Sequence, residues 1–257
     1  MKMIKNKDFF QLKDFLESKY NKFANLDFIE NDPIQIPHLF TLKEDIEISG
    51  FITSTIAWGQ RVSIIKNAKY FMSLMDNSPY DFTVNCTEPD LKRFSNAVHR
   101  TFNGEDLIFF IKSLKNIYKN HKGLEGVLGN SSDVYSNLLN FYRIFFLTEH
   151  LQRTRRHVAN VETGSAAKRL NMFLRWMVRK DGRGVDFGLW KGVSPADLYI
   201  PLDIHSGRVA RLLGLLKRNQ NDWKAVCELT EVLRSFDPVD PVKYDFALFG
   251  VGVNEDF

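Results

Sequence analysis

Residues 162–179 read ETGSAAKRLNMFLRWMVR. Four apolar residues recur at positions i, i+3, i+4 and i+7, the spacing of one face of an α-helix: Leu170, Phe173, Leu174 and Met177. Ser165 is a suitable N-cap, so the helix is predicted to begin beside it and to hold Lys168 in its first turn. The stretch therefore predicts an amphipathic helix with a lysine at its start.

Lys168 is the first residue that suggests chemistry. Its ammonium would face the positive end of the helix dipole, and this position favours the neutral amine. A neutral amine is the form that a lysine nucleophile requires. On the residues alone, an ordinary exposed lysine is the more common explanation. The position therefore needs support from elsewhere in the chain.

A second pattern lies downstream, where residues 200–216 read IPLDIHSGRVARLLGLL. Pro201 followed by Asp203 is typical of a helix start, with Asp203 as the N-cap. The helix is predicted to bury one stripe of residues, namely Val209, Leu212, Leu213 and Leu216. Taken alone, this pattern makes Asp203 a helix cap and nothing more.

The rest of the chain also favours helices. Apolar residues at helical spacing predict one helix over residues 8–24, two between residues 45 and 75, and others over 106–120 and 132–148. Segments rich in proline, glycine and asparagine separate them. No run of alternating apolar and polar residues is long enough to require a sheet. The predicted fold class is all-α.

Composition narrows the class of protein. Of 257 residues, 44% are hydrophobic and 26% are charged, which suffices for one large domain or two small ones and excludes a mainly disordered chain. Cys86 and Cys227 are too few for a disulfide scaffold, a zinc ribbon or a four-cysteine iron–sulfur cluster. The N-terminus has no signal-peptide apolar region, and no stretch approaches the roughly 18 apolar residues of a membrane span. We expect a cytoplasmic protein without a membrane partner, a metal or a cofactor.

Charge is unevenly distributed along the chain. Residues 143–183 hold ten Lys and Arg against three acidic residues, a net charge of +7, which leaves −3 for the rest of a chain of net charge +4. A single basic region is typical of a polyanion-binding face. We expect five of its arginines to contact phosphates, namely Arg153, Arg155, Arg156, Arg175 and Arg179. A solvated helical surface is the alternative that charge alone leaves open.

Three segments together resemble the helix-hairpin-helix DNA glycosylase superfamily, which includes endonuclease III and the 8-oxoguanine glycosylases. Residues 168–174 are similar to the helix that carries the nucleophilic lysine in that superfamily. Residues 202–205, followed by Arg208, are similar to the motif of the catalytic aspartate. Residues 51–60, FITSTIAWGQ, are similar to the stretch whose final glutamine probes the DNA. The three segments occur in the superfamily's order and span residues 51–216.

A narrower resemblance rests on residues 168–179 and on the ending DPVDPVKYDF at residues 237–246. Both are similar to a bacterial family of unassigned function that is related to these glycosylases. Lys168 and Asp203 are 35 positions apart. A long separation of this kind also resembles the archaeal 8-oxoguanine glycosylase branch, and it suggests an oxidised purine as the damaged base.

The resemblance implies a role for each matched residue. Lys168 would be the nucleophile and Asp203 the catalytic carboxylate. The residues implied in DNA binding are Gln60, Gly164, Ser165, Arg175, Arg179 and Arg208. The residues implied in the pocket for the base are Phe187, Trp190 and His205. Of the glycines usual in the hairpin, whose amides approach a phosphate, only Gly164 is present.

The resemblance also implies two helical subdomains with a cleft between them. Residues 41–190 would form the central subdomain, which ends in the helix-hairpin-helix motif and the Lys168 helix. Residues 1–40 and 191–257 would form the second, which carries Asp203. The implied function is a monomeric DNA base-excision glycosylase with abasic-site (AP) lyase activity, which removes a damaged base from double-stranded DNA in the nucleoid. The alternatives are a non-catalytic helix-hairpin-helix nucleic-acid-binding protein and a helical enzyme with another substrate.

Overall fold

The computed structural model describes residues 6–255, with side chains described from residue 9 onward. The α-helices are α1 (Asn6–Phe23), α2 (Asp27–Glu30), α3 (Lys43–Thr55), α4 (Arg61–Leu74), α5 (Pro79–Asn85), α6 (Glu88–Leu91), α7 (Gly104–Asn120), α8 (Gly123–Leu128), α9 (Val134–Phe145), α10 (Lys168–Val178), α11 (Ile204–Leu212), α12 (Trp223–Phe236) and α13 (Tyr244–Asn254). Short 3₁₀ helices cover Pro33–Gln35, Pro37–Leu39, Lys92–Phe94, Gln152–His157, Val161–Thr163, Pro195–Asp197 and Pro241–Lys243. The fold is predominantly all-α, as predicted.

The structure also contains a small β-hairpin that the sequence did not predict. Strand β1 (Val98–His99) pairs antiparallel with β2 (Phe102–Asn103). Arg100, in the turn between them, has a left-handed φ of 56°. Strands of two residues are too short to produce an alternating pattern of apolar and polar residues, so the sequence gives no signal for them.

The two helices that carry the matched motifs begin in different ways. Asp203 caps α11 as predicted, since its Oδ1 accepts a hydrogen bond from the backbone N of Ser206 at 2.8 Å. The prediction of Ser165 as the cap of α10 is wrong. That helix begins at Lys168, and its N-cap is Ala167, with a left-handed φ of 47°. Ser165 accepts a hydrogen bond from Ala167 N instead, and Lys168 is still in the first turn.

The buried stripe predicted for α11 is only partly present. Val209 and Leu216 are buried, but Leu212 is 62% exposed. The helix ends at Leu212, earlier than predicted, and Gly214 turns the chain with a φ of 71°. The side chains after that turn therefore no longer follow the helical spacing.

Helix α13 packs closely against both α1 and α11. A Cβ atom at Gly250 would lie 2.3 Å from the ring of Phe23 in α1, which no real contact tolerates. A Cβ atom at Gly252 would lie 3.1 Å from His205 in α11. The two glycines therefore let α13 hold the start of α11, and with it Asp203, close to the rest of the fold.

Helix α10 packs against α3, where the rings of Phe173 and Phe51 are 5.7 Å apart. This contact lies within the predicted central subdomain, and the contacts of α13 with α1 and α11 lie within the predicted second one. The buried apolar residues nevertheless form one continuous cluster, from Leu16 to Val251. The division into 41–190 and 1–40 with 191–257 therefore stays a prediction.

No helix within residues 6–255 is long and apolar enough to cross a membrane. Across the described side chains there is also no group of three or more His, Cys, Asp or Glu residues placed to hold a metal ion.

Candidate active site

A pocket of about 680 Å³ lies where the chain before α3, the α3–α4 connection, the first turns of α10 and α11, and α13 meet. Both Lys168 and Asp203 line it. The structure thus brings together the two residues predicted to be catalytic, although they are far apart in sequence. Aromatic rings form much of the wall, from Phe28, Trp58, Trp176, Phe246 and Phe249.

Lys168 is the first residue of α10, and its side chain is half-buried in the pocket wall. Its Nζ donates to the thioether sulfur of Met172 at 3.3 Å, which is a weak acceptor. Lys168 forms no ion pair with any residue among those described. An amine that is held by a weak acceptor and lacks a carboxylate partner is available to a bound ligand.

The two carboxylate oxygens of Asp203 have different surroundings. Oδ1 accepts from Ser206 N at 2.8 Å and from Ser206 Oγ at 3.1 Å. Asn221 donates to the backbone carbonyl of Asp203 at 2.9 Å and fixes the chain at this point. Over residues 6–255, no group donates a hydrogen bond to Oδ2. The cap therefore orients the carboxylate and leaves one oxygen for the pocket.

Two further cations in the pocket wall have no carboxylate partner among the described residues. The Arg169 guanidinium lies 5.0 Å from the ring centre of Trp58 and donates to the backbone carbonyl of Thr55. Burial without a compensating anion lowers the pKa of Arg169 to about 10. Arg61 lies 5.1 Å from the ring centre of Phe249. Together with Lys168, these side chains make the pocket suitable for an anionic ligand.

The pocket also contains two carboxyl groups that the sequence reasoning missed, Asp32 and Asp245. Asp245 forms an ion pair with Arg175. Burial raises the pKa of Asp245 to about 6, the Arg175 charge opposes this shift, and the Asp203 charge adds to it. Asp32 precedes a proline as in any turn, and Asp245 belongs to the matched ending at residues 237–246, which indicated no role for it.

The comparisons with known proteins give a family and no activity. A family model matches residues 32–254 of the chain. The chain belongs to that family, which is described as a protein of unknown function (DUF2400). No curated protein and no solved structure matches it. The matched region includes every pocket residue of this DUF2400 protein except Phe28. The resemblance to the glycosylases thus stays a prediction.

Arg175 and Arg179 of the DUF2400 protein, both predicted to bind DNA, do not lie on the exposed surface. Their exposed fractions are 3% and 0%. Arg175 Nε lies 3.3 Å from Asp186, and Arg179 lies 3.0 Å from Asp186 and 2.8 Å from Asp240. Buried guanidinium groups require such partners, because an unpaired buried charge is costly. Both arginines hold the fold together through these carboxylates. Arg175 also forms part of the pocket wall, whereas Arg179 does not line the pocket.

The aromatic residues that line the pocket are not those predicted to surround a base. Trp190 is buried in the core, where its Nε1 donates to Glu47 at 2.7 Å, and it does not line the pocket. Phe187 packs on His38, with ring centres 4.3 Å apart, and it also lies outside the pocket wall. His205 is the exception, since it is exposed and lines the pocket.

Gln60 and Arg208 lie on the surface near the pocket. Gln60 is the exposed N-cap residue of α4, between the pocket residues Gly59 and Arg61. Arg208 is exposed on α11, and its Nη2 donates to the carbonyl of Gly252 at 2.9 Å. Both side chains remain accessible to a ligand larger than the pocket.

The predicted hairpin differs from a regular helix-hairpin-helix motif. Its first arm is the 3₁₀ turn Val161–Thr163, followed by Gly164 with a φ of 85°. Ser165 pairs in a β-bridge with Asp222. A second cavity of about 300 Å³ adjoins this loop and shares Lys168 with the main pocket. The hairpin backbone thus lies beside the pocket, although its glycine content is low.

Proposed function

We propose that this DUF2400 protein is a DNA base-excision glycosylase with abasic-site lyase activity, and that Lys168 and Asp203 carry the reaction. The observation that supports this proposal is their presence in one pocket, the first with an amine that lacks a carboxylate partner and the second with an open carboxylate oxygen. A volume of about 680 Å³ lies within the usual range for ligand sites.

The proposed partner is double-stranded DNA with a damaged base, an oxidised purine being the first candidate. An enzyme reaches a glycosidic bond only after the nucleotide leaves the stack, so the pocket would receive a flipped nucleotide. Arg61 and Arg169 would neutralise the phosphates beside it. Gln60, at the exposed start of α4, would occupy the space that the base leaves. A monomer in the nucleoid suits this role.

The chemistry divides between the two residues. As the bond between C1′ and the base breaks, its electron pair goes to the base, and the sugar becomes positively charged. The Asp203 carboxylate would stabilise that charge, as an oriented anion does in other glycosyl-transfer sites. The lone pair of the Lys168 amine would then form a bond to C1′. Loss of amine protons and opening of the sugar give a Schiff base, from which elimination cleaves the strand.

A panel of duplexes tests the proposal. Each duplex bears one lesion, with an abasic-site duplex and an undamaged duplex included, and strand cleavage is measured. We expect cleavage of the abasic duplex and of at least one lesion duplex by the wild-type protein, and none by the Lys168→Gln variant. Binding of all duplexes without cleavage of any would instead support the non-catalytic nucleic-acid-binding protein.

A further inference from the structure

Asp32 is a pocket carboxyl group that the two-residue mechanism does not use. It precedes the 3₁₀ helix Pro33–Gln35, and its Oδ1 accepts from the backbone N of Ile34 at 3.0 Å. Only 8% of the residue is exposed, yet it lines the 680 Å³ pocket. No residue in the described part of the chain donates to its Oδ2 or forms an ion pair with it. One carboxyl oxygen of a largely buried residue is therefore without a partner, and the residue lines the cavity.

The charges around Asp32 determine which form it takes. Burial dominates and raises the pKa of Asp32, although the nearby cations Arg175, Arg61 and Lys168 oppose the shift. The other ionisable groups that line the pocket are Arg169, Asp203, His205 and Asp245. In this setting the Asp32 carboxyl group keeps its proton to a higher pH than an exposed aspartate does.

Carboxyl groups in one pocket with different surroundings can have different roles. Asp245 is held in an ion pair with Arg175. Asp203 is half-buried at a helix start, with one oxygen fixed by Ser206. Asp32 reaches the same pocket from the N-terminal segment, and among the described residues only Ile34 N donates a hydrogen bond to its carboxylate. The arrangement of Asp203 suits a stabilising anion, and that of Asp32 suits a proton donor.

We propose that Asp32 is the acid that protonates the departing base, an inference that rests on the proposed glycosylase function. The carboxyl proton goes to a ring nitrogen of the flipped base. The electron pair of the bond between C1′ and the base goes to the base, which leaves as a neutral heterocycle. The Asp32 carboxylate that remains recovers a proton from solvent once the base has left.

The test separates base departure from strand cleavage. Cleavage of an abasic duplex needs Lys168 but no base departure, whereas cleavage of a lesion duplex needs both. The variant Asp32→Asn keeps the cap, because an amide oxygen accepts from Ile34 N as a carboxylate does. The matched control is Asp27→Asn, which removes an exposed carboxylate from the neighbouring helix α2. Wild type and both variants are assayed on the abasic duplex and on the best-cleaved lesion duplex, across pH.

We expect Asp32→Asn to cleave the abasic duplex at the wild-type rate and to release the damaged base about a hundredfold more slowly. The decline of wild-type base release at high pH should disappear in this variant. Unchanged base release and an unchanged pH profile would overturn the proposal, and so would equal losses on both duplexes, which indicate a structural role. Wild-type cleavage of the abasic duplex with no lesion released would also overturn it, while leaving Lys168 as the lyase nucleophile. Failure of the wild type on both duplexes would reject the glycosylase function itself.

Discussion

Asp203 both caps helix α11 and lines the pocket, whereas Asp133 only caps a helix. Asp133 caps α9 through Ser136, whose backbone N donates to Oδ1 at 3.0 Å and whose hydroxyl donates to Oδ2 at 2.6 Å. Asp203 caps α11 through Ser206 in the same Asp-x-x-Ser arrangement. Asp133 does not line the pocket, whereas Asp203 does. Substitutions of Asp133 and Asp203 therefore distinguish an effect on helix capping from an effect on the pocket.

This comparison gives a prediction for Asp203→Asn. Asparagine caps a helix about as well as aspartate, so the melting temperature and the DNA affinity should change little. The negative charge beside the sugar is lost, and base release should slow by about a hundredfold or more. Asp133→Asn, the control, should be as active as wild type. Full activity of Asp203→Asn in the same cleavage assay would reduce Asp203 to a helix cap.

At the scale of elements, α10 has two ends with different environments. Its first turn places Lys168 and Arg169 in the pocket without carboxylate partners among the described residues. Its other end is surrounded by acidic groups, and Arg179 also donates to the hydroxyl of Tyr20 in α1 at 2.6 Å. The ion pairs of Arg179 fix this C-terminal end of α10 to the segments around Asp186 and Asp240, and its hydrogen bond to Tyr20 fixes it to α1. The helix thus presents the free cations from a rigid support.

Replacement of Arg179 should reveal this support. The variant Arg179→Met leaves buried carboxylates without their partner, and we expect it to lower the free energy of unfolding by about 3–5 kcal/mol. Lys180→Met, which alters an exposed neighbour, should lower it by less than about 1 kcal/mol. Urea unfolding followed by circular dichroism measures both. A loss below about 1 kcal/mol in Arg179→Met would contradict the assignment of this residue to the fold.

The helices were largely predictable, since spacing of apolar residues depends on local sequence alone. The pattern over 106–120 corresponds to α7, which spans Gly104–Asn120. The polar face of α10 was not predictable in the same way. Its arginines are buried because Asp240 and Asp245 reach them from 61 and 70 positions away. Periodicity cannot distinguish such a buried polar face from a solvated one.

Some candidate site residues could also be predicted from the sequence, and others could not. Lys168 and Asp203 could be named because the segments around them resemble motifs of the glycosylase superfamily, whereas the helix starts alone did not single them out. Asp32 and Asp245 could not, because only the tertiary fold brings them to the pocket. The aromatic wall was misassigned for a related reason, since a chain with 22 phenylalanines gives no local sign of which rings are in the core.

Across the whole molecule, the basic window of residues 143–183 is less basic at the surface than its net charge indicates. Five of its ten cations form ion pairs with aspartate or glutamate at distances below 4 Å, namely Arg143, Arg153, Arg175, Arg179 and Arg183. Five form no ion pair within the described residues, namely Arg155, Arg156, Lys168, Arg169 and Lys180. The cations that this window offers to a polyanion are therefore these five, and Arg61 at the pocket and Arg208 near it add to them.

This count predicts a moderate dependence of DNA affinity on salt. Each phosphate that a cation neutralises contributes about −0.9 to the slope of log affinity against log salt. Arg156→Gln should make the slope shallower by about that amount, since Arg156 is exposed and binds only the carbonyl of Thr101. Lys92→Gln, an exposed control outside the window, should leave the slope unchanged. Affinity that stays flat between low and moderate salt would make the window a solvated surface.

In the proposed mechanism, Lys168 forms a covalent bond with the sugar of a damaged or abasic nucleotide. Borohydride reduces such a Schiff base to a stable amine, so the most direct measurement is trapping of the protein on an abasic duplex, followed by a denaturing gel. We expect a cross-linked band for wild type and for the exposed-lysine control Lys180→Gln. We expect no band for Lys168→Gln, although that variant remains folded and bound to DNA. A band that survives in Lys168→Gln, or no band for wild type on a duplex that it binds, would show that Lys168 is not the nucleophile.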